Sequence, residues 1–253
     1  MNDWNSNQYT KFEKERTQPS TDLISRIDIY PKTAVDIGCG PGNSTNRLYK
    51  RFSNADILGI DSSDNMLLKA KNDYPKMNFR KCTLPGDLES LGSYDLIFSN
   101  ACLHWIPDHK TLLPKLMAKL NEGGVLAAQL PLVQYAEFYK ILNKLILKDK
   151  WSKLRDIHLF HNLSPNETYD ILAAVSSGVT MWETVYYHVL PACNSVIDWY
   201  KGSGLRPYIE RLTDCEQSDF TYELTEMLKD AFPTQSDGKV ILKMPRLFFI
   251  AAK

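Results

Sequence analysis

The feature that most constrains the fold is a glycine-rich turn between an apolar run and a helical pattern. Residues 33–37 read as a buried strand, the turn is Gly38-Cys39-Gly40-Pro41-Gly42, and residues 43–51 predict a helix. Residues 57–61 predict a second strand, which completes a β-α-β unit. Such units form an open, parallel α/β sheet, in which ligands bind at the carboxyl ends of the strands.

The remaining chain continues this alternation of apolar runs and helical patterns. Further strands are predicted at 78–82, 94–99 and 125–130, followed by a β-rich segment at 179–190 and a last apolar run at 247–252. Helices are predicted from Ser62-Ser63-Asp64 onward, at 108–120 with Gly123-Gly124 closing the helix, at 137–148 and at 165–174. Because no Gly/Ser/Pro-rich linker interrupts the pattern, we expect one elaborated domain over residues 1–253.

Composition excludes several classes of protein. The 253 residues are 43% hydrophobic, and 30 Lys+Arg balance 30 Asp+Glu, so the chain is globular and has no global field that would attract nucleic acid. The first residues lack a secretory signal and no apolar run is long enough to span a bilayer, which predicts a cytoplasmic protein without a membrane partner. Five cysteines without a C-x-x-C spacing predict reduced thiols and no metal site.

The spacing of the glycines indicates which ligand the turn accepts. The turn reads G-x-G-x-G, whereas the dinucleotide fingerprint G-x-G-x-x-G would need its third glycine at Asn43. Asp61, at the end of the second strand, suits the two hydroxyls of a ribose, and Asp36 suits a ligand that carries an ammonium. S-adenosylmethionine has both groups. The alternative is a structural turn with a carboxylate cap.

Five blocks resemble the trans-aconitate 2-methyltransferase family of class I methyltransferases. They are Asp36-Ile-Gly-Cys-Gly-Pro-Gly-Asn-Ser-Thr45, Gly59-Ile-Asp-Ser-Ser63, Ser99-Asn-Ala-Cys-Leu-His-Trp-Ile-Pro-Asp-His109, Gly202-Ser-Gly-Leu-Arg-Pro207 and Pro245-Arg-Leu-Phe-Phe249. The resemblance implies a Rossmann-like sheet of seven mostly parallel strands, the last one antiparallel, with helices on both faces. The sequence pattern itself separates a cofactor core at 32–131 from a helical segment at 132–178. The mostly helical stretch 191–245 is too long for a plain hairpin loop, so we expect it to cover the substrate together with an N-terminal helical segment, 1–26.

The activity implied by the resemblance is transfer of a methyl group from S-adenosylmethionine to one carboxylate of a small polycarboxylate, with trans-aconitate as the expected substrate. A carboxylate is already ionised at pH 7, so we expect no general base and no catalytic His–Asp pair; His104 is at most an orienting residue. The predicted substrate-binding residues are Arg206, Tyr187, Trp105 and His104. Tyr187 is chosen because Tyr186 and His188 share the other face of a strand.

The predicted cofactor-binding residues come from the turn, the strand ends and an N-terminal helix. They are Tyr9, Arg16, Asp36, Gly38, Cys39, Gly40, Asn43, Asp61, Ser62, Met66, Cys82, Thr83, Asn100, Ala101 and Trp105. Arg16 is expected to bind a carboxylate of the cofactor or the substrate, with a surface salt bridge as the alternative.

The sequence also departs from the family pattern. Thr83 stands where many members have an acidic residue that reads the adenine amino group, so we expect adenine recognition to differ here. The two alternatives are a hydrogen bond to Thr83 and a contact from Asp87. His104 replaces a frequent Gln, and residues 130–133 lack a common Asp-Asn. Other hypotheses are therefore a methyltransferase with an amine, phenol or carbon-acid acceptor, in which His104 or His188 would be the base, and a non-catalytic module that binds S-adenosylmethionine. We expect a monomer or weak homodimer.

Overall fold

The structure, a computed structural model, describes residues 3–4 and 12–253. Seven strands form one sheet in the order β3-β2-β1-β4-β5-β7-β6. Their bounds are β1 Thr33–Ile37, β2 Asp56–Asp61, β3 Asn78–Lys81, β4 Tyr94–Asn100, β5 Leu120–Pro131, β6 Gly178–Leu190 and β7 Val240–Ala252. The predicted α/β sheet of seven strands is confirmed.

Pairing within the sheet is parallel from β3 to β5 and antiparallel at β7. The register aligns Ile37 of β1 with Ile60 of β2 and with Ser99 of β4, which brings the carboxyl ends of these three strands together. The Leu132 N–H donates to the Pro245 carbonyl and the Lys253 N–H to the Gly124 carbonyl, so residue numbers rise along β5 as they fall along β7. The strand order steps from β1 to β2 on one side and to β4 on the other, and ligands bind at such a switch point.

Nine α-helices lie in the described part of the chain. They are α1 Glu13–Ile24, α2 Asn43–Arg51, α3 Asp64–Asp73, α4 His109–Ala118, α5 Glu137–Ile146, α6 Pro165–Ala173, α7 Asn194–Lys201, α8 Arg206–Ile209 and α9 Asp214–Ala231. None of these helices is long and apolar enough to cross a membrane.

The chain divides into two compact units. The sheet unit comprises the described residues up to Pro131 together with Phe160–Thr184 and Leu247–Lys253, and the helical unit comprises Leu132–Leu159 and Val185–Arg246. In the sheet unit, the inner residues of β4 (96–99) and of β5 (124–130) are buried, as expected for parallel strands covered on both faces. In the helical unit, Phe138 stacks on Tyr200 with ring centroids 3.7 Å apart. The single domain over 1–253 stays a prediction.

Two predicted boundaries are wrong. Helix α4 ends at Ala118, and Leu120 already begins β5, so Gly123-Gly124 does not close the helix. Gly123 has φ +72° within β5, where the pairing with β4 shifts register, and a Cβ on Gly124 would lie 2.9 Å from the Asp95 carbonyl. These glycines accommodate a strand irregularity.

The second wrong boundary is the start of the last strand, which lies at Val240 instead of Leu247. Proline lacks a backbone N–H donor and is usually absent from inner strands. Because of Pro245, the sequence pattern did not indicate a strand over residues 240–246. In the structure the Pro245 carbonyl still accepts the N–H of Leu132 at 3.0 Å.

Candidate functional site

The glycine turn lies between β1 and α2 in the sheet unit. Gly38, Gly40 and Gly42 all have positive φ, at +71°, +54° and +90°. The Gly38 N–H donates to the Ile60 carbonyl at 2.8 Å, which fixes the turn against the end of β2. A Cβ on Gly38 would lie 2.2 Å from Cys102 Sγ, whereas a Cβ on Gly40 would meet nothing within 4 Å. The turn is therefore packed on one side and open at Gly40.

Asp61 connects this turn to the start of α3. Its Oδ2 accepts the Gly40 N–H at 2.9 Å and its Oδ1 accepts the Ser63 N–H at 2.9 Å. Burial raises the pKa of the Asp61 carboxyl, and the N–H donors of Ser63 and Gly40 oppose that rise. Each carboxylate oxygen can accept a further hydrogen bond, as binding of a ribose hydroxyl requires.

Asp36 lies in β1 and is fully buried. The hydroxyls of Ser44 and Thr45, in the first turn of α2, both donate to its Oδ2 at 2.7 Å. Burial raises the pKa of the carboxyl to about 6, although the two hydroxyls favour the charged form. Its Oδ1 has no hydrogen-bond partner among the described residues. This oxygen is therefore a buried acceptor whose hydrogen-bonding capacity is unused among the described residues.

The end of β4 carries another unsatisfied acceptor. Asn100 Oδ1 is buried and has no partner among residues 3–4 and 12–253. The next residue, Ala101, has φ +54°, and its N–H donates to the Gln129 carbonyl at 2.8 Å. A positive φ is uncommon for a residue with a Cβ and is found at functional turns. Asn100 and Ala101 are thus at the strand end where the sequence predicts cofactor contacts.

An N-terminal segment lies against the start of α3. The Asp3 carboxylate accepts the hydroxyl of Ser63 and, at 2.9 Å, the N–H of Asn65, and the Trp4 carbonyl accepts the Asn65 side-chain amide at 3.3 Å. Burial opposes ionisation of Asp3, but the bonds from Ser63, Asn65 and Trp4 bring its pKa below the ordinary value. Asp3 is therefore anchored as an anion close to Asp61.

An aromatic cluster lies around the turn after β4. It is made by His104 and Trp105 of that turn together with Trp4 and Phe160. Trp105 meets Trp4 edge-on with centroids 5.4 Å apart and lies 4.9 Å from Phe160. His104 is buried, and its ring stacks on Phe160 at 5.6 Å. Trp105 and His104 therefore share one apolar wall, and their predicted roles in binding stay predictions.

Several other predicted cofactor residues lie around the same strand ends. Met66 is buried, Ser62 is exposed, and Asn43 Oδ1 accepts the Tyr74 hydroxyl at 3.1 Å. Burial raises the pKa of the thiol of Cys39. A thiol with a raised pKa is a poor nucleophile at neutral pH.

The end of β3 shows how the chain departs from the family pattern. The Cys82 N–H donates to the Asp61 carbonyl at 3.0 Å, and Thr83 is exposed. The Thr83 N–H donates to Asp87 Oδ2 at 2.7 Å, so Asp87 lies beside Thr83. Binding of the adenine by either residue stays a prediction.

The predicted roles of residues that do not lie at these strand ends stay predictions. Tyr9 lies outside the described residues, and Arg16 is half-buried in α1. Arg206 and Tyr187 belong to the helical unit. Arg206 begins α8, its Nε lies 3.7 Å from Glu210 Oε1, and its side chain is 14% exposed.

Tyr187 is 63% exposed, whereas Tyr186 and His188 are buried with parallel rings 6.1 Å apart. The expectation that Tyr186 and His188 share a face is thus confirmed. Substrate binding by Tyr187 stays a prediction.

Sequence reasoning placed Asp3 and Trp4 in the predicted cover without naming them as site residues, and it missed Phe160 and Asn162. No local motif indicates them, because their partners are far away in the chain: Asn162 Nδ2, for example, donates to the Pro131 carbonyl at 2.8 Å. In the described part of the chain, no three His, Cys, Asp or Glu side chains are grouped as metal ligands.

Comparison with known proteins gives one domain family and several full-length relatives. Residues 34–124 match the family model described as a methyltransferase domain. A trans-aconitate 2-methyltransferase of Rhodopseudomonas palustris (strain HaA2) is 36% identical over 261 residues, which cover 100% of both chains. A protein of the same name from Yersinia pestis (strain Pestoides F) is 37% identical over 255 residues, which cover 99% of this chain and 98% of the relative.

Solved structures support the fold. A phosphoethanolamine N-methyltransferase 2 of Haemonchus contortus, solved with S-adenosyl-L-methionine, has a TM-score of 0.57 at 16% identity and covers 98% of this chain and 56% of its own. The cyclopropane synthase MmaA2 of Mycobacterium tuberculosis also has a TM-score of 0.57, at 15% identity, and covers 95% of this chain and 85% of its own. Their names indicate different acceptors, so this fold alone does not select one. The full-length identity to the curated relatives does show that the chain belongs to the trans-aconitate 2-methyltransferase family and is a methyltransferase enzyme.

Proposed function

We propose that this chain transfers a methyl group from S-adenosyl-L-methionine to one carboxylate of trans-aconitate, giving a monomethyl ester. The observation that carries the proposal is the full-length identity, 36% and 37%, to proteins named trans-aconitate 2-methyltransferase. The site is consistent with it, because the residues at the ends of β1, β2 and β4 have the chemistry that this cofactor needs.

The cofactor is rich in hydrogen-bond donors, and the strand ends are rich in acceptors. Its ammonium, ribose hydroxyls and adenine amino group all donate. Asp36 Oδ1 and Asn100 Oδ1 are buried acceptors without partners in the described chain, and Asp61 has spare capacity beside the open side of Gly40. Leaving such acceptors unpaired costs about 1–3 kcal/mol each, which a donor-rich ligand would offset.

When bound, the cofactor supplies an electrophilic methyl group. The acceptor carboxylate, with an ordinary pKa near 4, is ionised at pH 7 and needs no general base. The protein's part is to align the two groups and to exclude water. The wall formed by Trp4, Trp105 and Phe160 suits the exclusion of water, and no residue has to transfer a proton.

Selection of a polycarboxylate requires fixed positive charge. Arg206 is the proposed carboxylate ligand, because a guanidinium binds carboxylates with two parallel hydrogen bonds and stays charged. Its location at the start of α8, largely buried, limits its motion and its screening by solvent. We also propose action as a monomer or weak homodimer in the cytoplasm.

The direct test supplies methyl-labelled S-adenosylmethionine and trans-aconitate to the purified chain. The label should appear in a methyl ester, and mild base should release it from that ester as labelled methanol. Citrate, cis-aconitate and succinate serve as competing acceptors, and the D61A variant serves as a control with a defective cofactor site. Transfer to an amine or a phenol at higher efficiency, or binding of both ligands without transfer, would contradict the proposal.

A second test addresses Arg206. R206M should raise the KM for trans-aconitate at least tenfold and leave the affinity for S-adenosylmethionine unchanged. R211M is the matched control, because Arg211 is nearby in sequence, more exposed, and paired with Asp156. Equal effects of the two substitutions would remove Arg206 from the proposed substrate site.

A further inference from the structure

The segment 160–162 of the sheet unit is attached to the carboxyl ends of β4 and β5. The His161 N–H donates to the His104 carbonyl at 2.9 Å, and Asn162 Nδ2 donates to the Pro131 carbonyl at 2.8 Å. The Phe160 ring packs on Trp105. Three consecutive residues therefore contact the turn after β4 and the last residue of β5.

The position of Asn162 follows from the ladder between β4 and β5. The Gln129 carbonyl accepts the Ala101 N–H. Carbonyls two residues apart on a strand point to the same neighbour, so the Pro131 carbonyl points past the end of β4. The Asn162 amide donates to this carbonyl, two residues beyond the Gln129 carbonyl that pairs with Ala101. Asn162 is thus bound at the carboxyl end of β5, the same end of the sheet at which Asn100 and Ala101 lie.

The hydrogen bond to Pro131 also fixes which end of the Asn162 amide is the acceptor. A carbonyl accepts only from the NH₂ end, so the orientation of this amide is determined by its contact. Asn162 Oδ1 is then left buried and without a partner among the residues that the structure describes. Buried polar atoms are nearly always paired, so this oxygen calls for a ligand group.

The surroundings of Asn162 differ from those of the acidic pair on β1 and β2. Asp36 and Asp61 are carboxylates, which suit an ammonium and ribose hydroxyls. The 160–162 segment instead adds aromatic faces and a neutral amide oxygen. Such groups suit a cation without N–H donors, whose charge is spread over adjacent C–H bonds, through cation–π contacts and C–H···O hydrogen bonds.

On the basis of the proposed function, we infer that Asn162 Oδ1 accepts the polarised C–H groups beside the sulfonium of S-adenosylmethionine. Asn162 is then a positioning residue that favours the methylated cofactor over S-adenosylhomocysteine. The two molecules share the adenosine, the ammonium and the carboxylate, and differ in the methyl group and the positive charge on sulfur. Discrimination between them therefore measures the inferred contact.

The test measures the affinity of the purified full chain for both molecules by calorimetry at pH 8. N162A should lose about two- to fivefold more affinity for S-adenosylmethionine than for S-adenosylhomocysteine. N162D loses the same bond to Pro131 but presents an anionic oxygen, so it should keep or increase the preference for the sulfonium. N166A, at an exposed position in the first turn of α6, should match the wild type.

The other outcomes are distinct. Equal losses for both molecules in N162A, or a preference in N162D no greater than in N162A, would overturn the inference, since the role of Asn162 would then be to anchor the segment. Unchanged affinities in N162A would also overturn it. If the wild type bound neither molecule, the proposed function itself would fail. The comparison of N162D with N162A remains informative if loss of the Pro131 bond destabilises both variants to a similar extent.

Discussion

Asp61 Oδ2 accepts the backbone N–H of Gly40 at 2.9 Å, so the carboxylate that ends β2 also sets the shape of the glycine turn after β1. The same carboxylate receives the Ser63 N–H at the start of α3. One side chain thus couples the first two β-α connections of the sheet. A change at Asp61 should therefore affect both the turn and the ligand that the turn binds.

D61N should weaken binding of S-adenosylmethionine by about 10- to 100-fold, because it removes charge-assisted hydrogen bonds and turns an amide NH₂ toward an N–H donor. Calorimetry on the purified variant measures the loss. D64N is the matched control, since Asp64 begins α3, is exposed and pairs with Lys81. An affinity in D61N close to that of D64N would show that Asp61 does not contact the cofactor.

Two glycines of the turn should respond differently to the same substitution. G38A places a Cβ 2.2 Å from Cys102 Sγ at φ +71°, so it should lower the free energy of unfolding by several kcal/mol. G40A meets no atom within 4 Å, so its cost should be limited to the left-handed backbone, about 1–2 kcal/mol.

Denaturant unfolding and cofactor binding together distinguish these two effects. G40A should remain folded but lose cofactor affinity, because its methyl group enters the open side of the turn. G38A should already show a strongly lowered free energy of unfolding in the denaturant measurement. A G40A variant that binds the cofactor as well as the wild type would contradict the placement of the ligand at Gly40.

The fold was predictable where local pattern and burial agree. The runs at 33–37 and 57–61 are apolar because parallel strands are covered on both faces, and Ser63 caps the start of α3 because its hydroxyl accepts the Met66 N–H. The boundaries at Gly123-Gly124 and Pro245 were wrong because these residues usually end elements. Here the sheet accommodates them through a register shift and through a carbonyl that still pairs.

The candidate site was predictable only where it lies on the strand ends. Asp36, Gly38, Gly40 and Asp61 follow from the β-α-β pattern itself. Asp3, Trp4 and the 160–162 segment reach the site through contacts with residues such as Asn65 and Pro131. Such long-range contacts leave no periodic signal in a single sequence.

The Asp3–Trp4 segment should contribute to cofactor affinity through its attachment to α3. D3A removes the acceptor of the Ser63 hydroxyl and the Asn65 N–H, so Trp4 should lose its fixed position against Trp105. We expect a loss of affinity of about 5- to 20-fold, which corresponds to about 1–2 kcal/mol of binding free energy. The free energy of unfolding should change little, because Asp3 is exposed. D28A, at an exposed position, is the control, and equal affinities in the two variants would exclude a role for the segment.

The buried Asp36 should give the stability of the protein a distinct pH dependence. Its pKa is raised to about 6, chiefly by burial, from 3.8 in the unfolded chain. Below about pH 4 both states are protonated and the contribution to stability is fully present. As the pH rises to about 6 the unfolded state ionises first, so the free energy of unfolding should fall by about 3 kcal/mol and then level off.

D36N cannot ionise and should lack this fall. Urea unfolding at intervals from pH 4 to pH 7 measures the free energy of unfolding of both proteins. As the pH rises, this free energy should fall in the wild type relative to D36N. D73N, which removes an exposed carboxyl at the end of α3, should give a curve parallel to the wild type. If the D36N curve were also parallel, Asp36 would not titrate in this range, and an ionised Asp36 would have to be stabilised by more than the hydroxyls of Ser44 and Thr45.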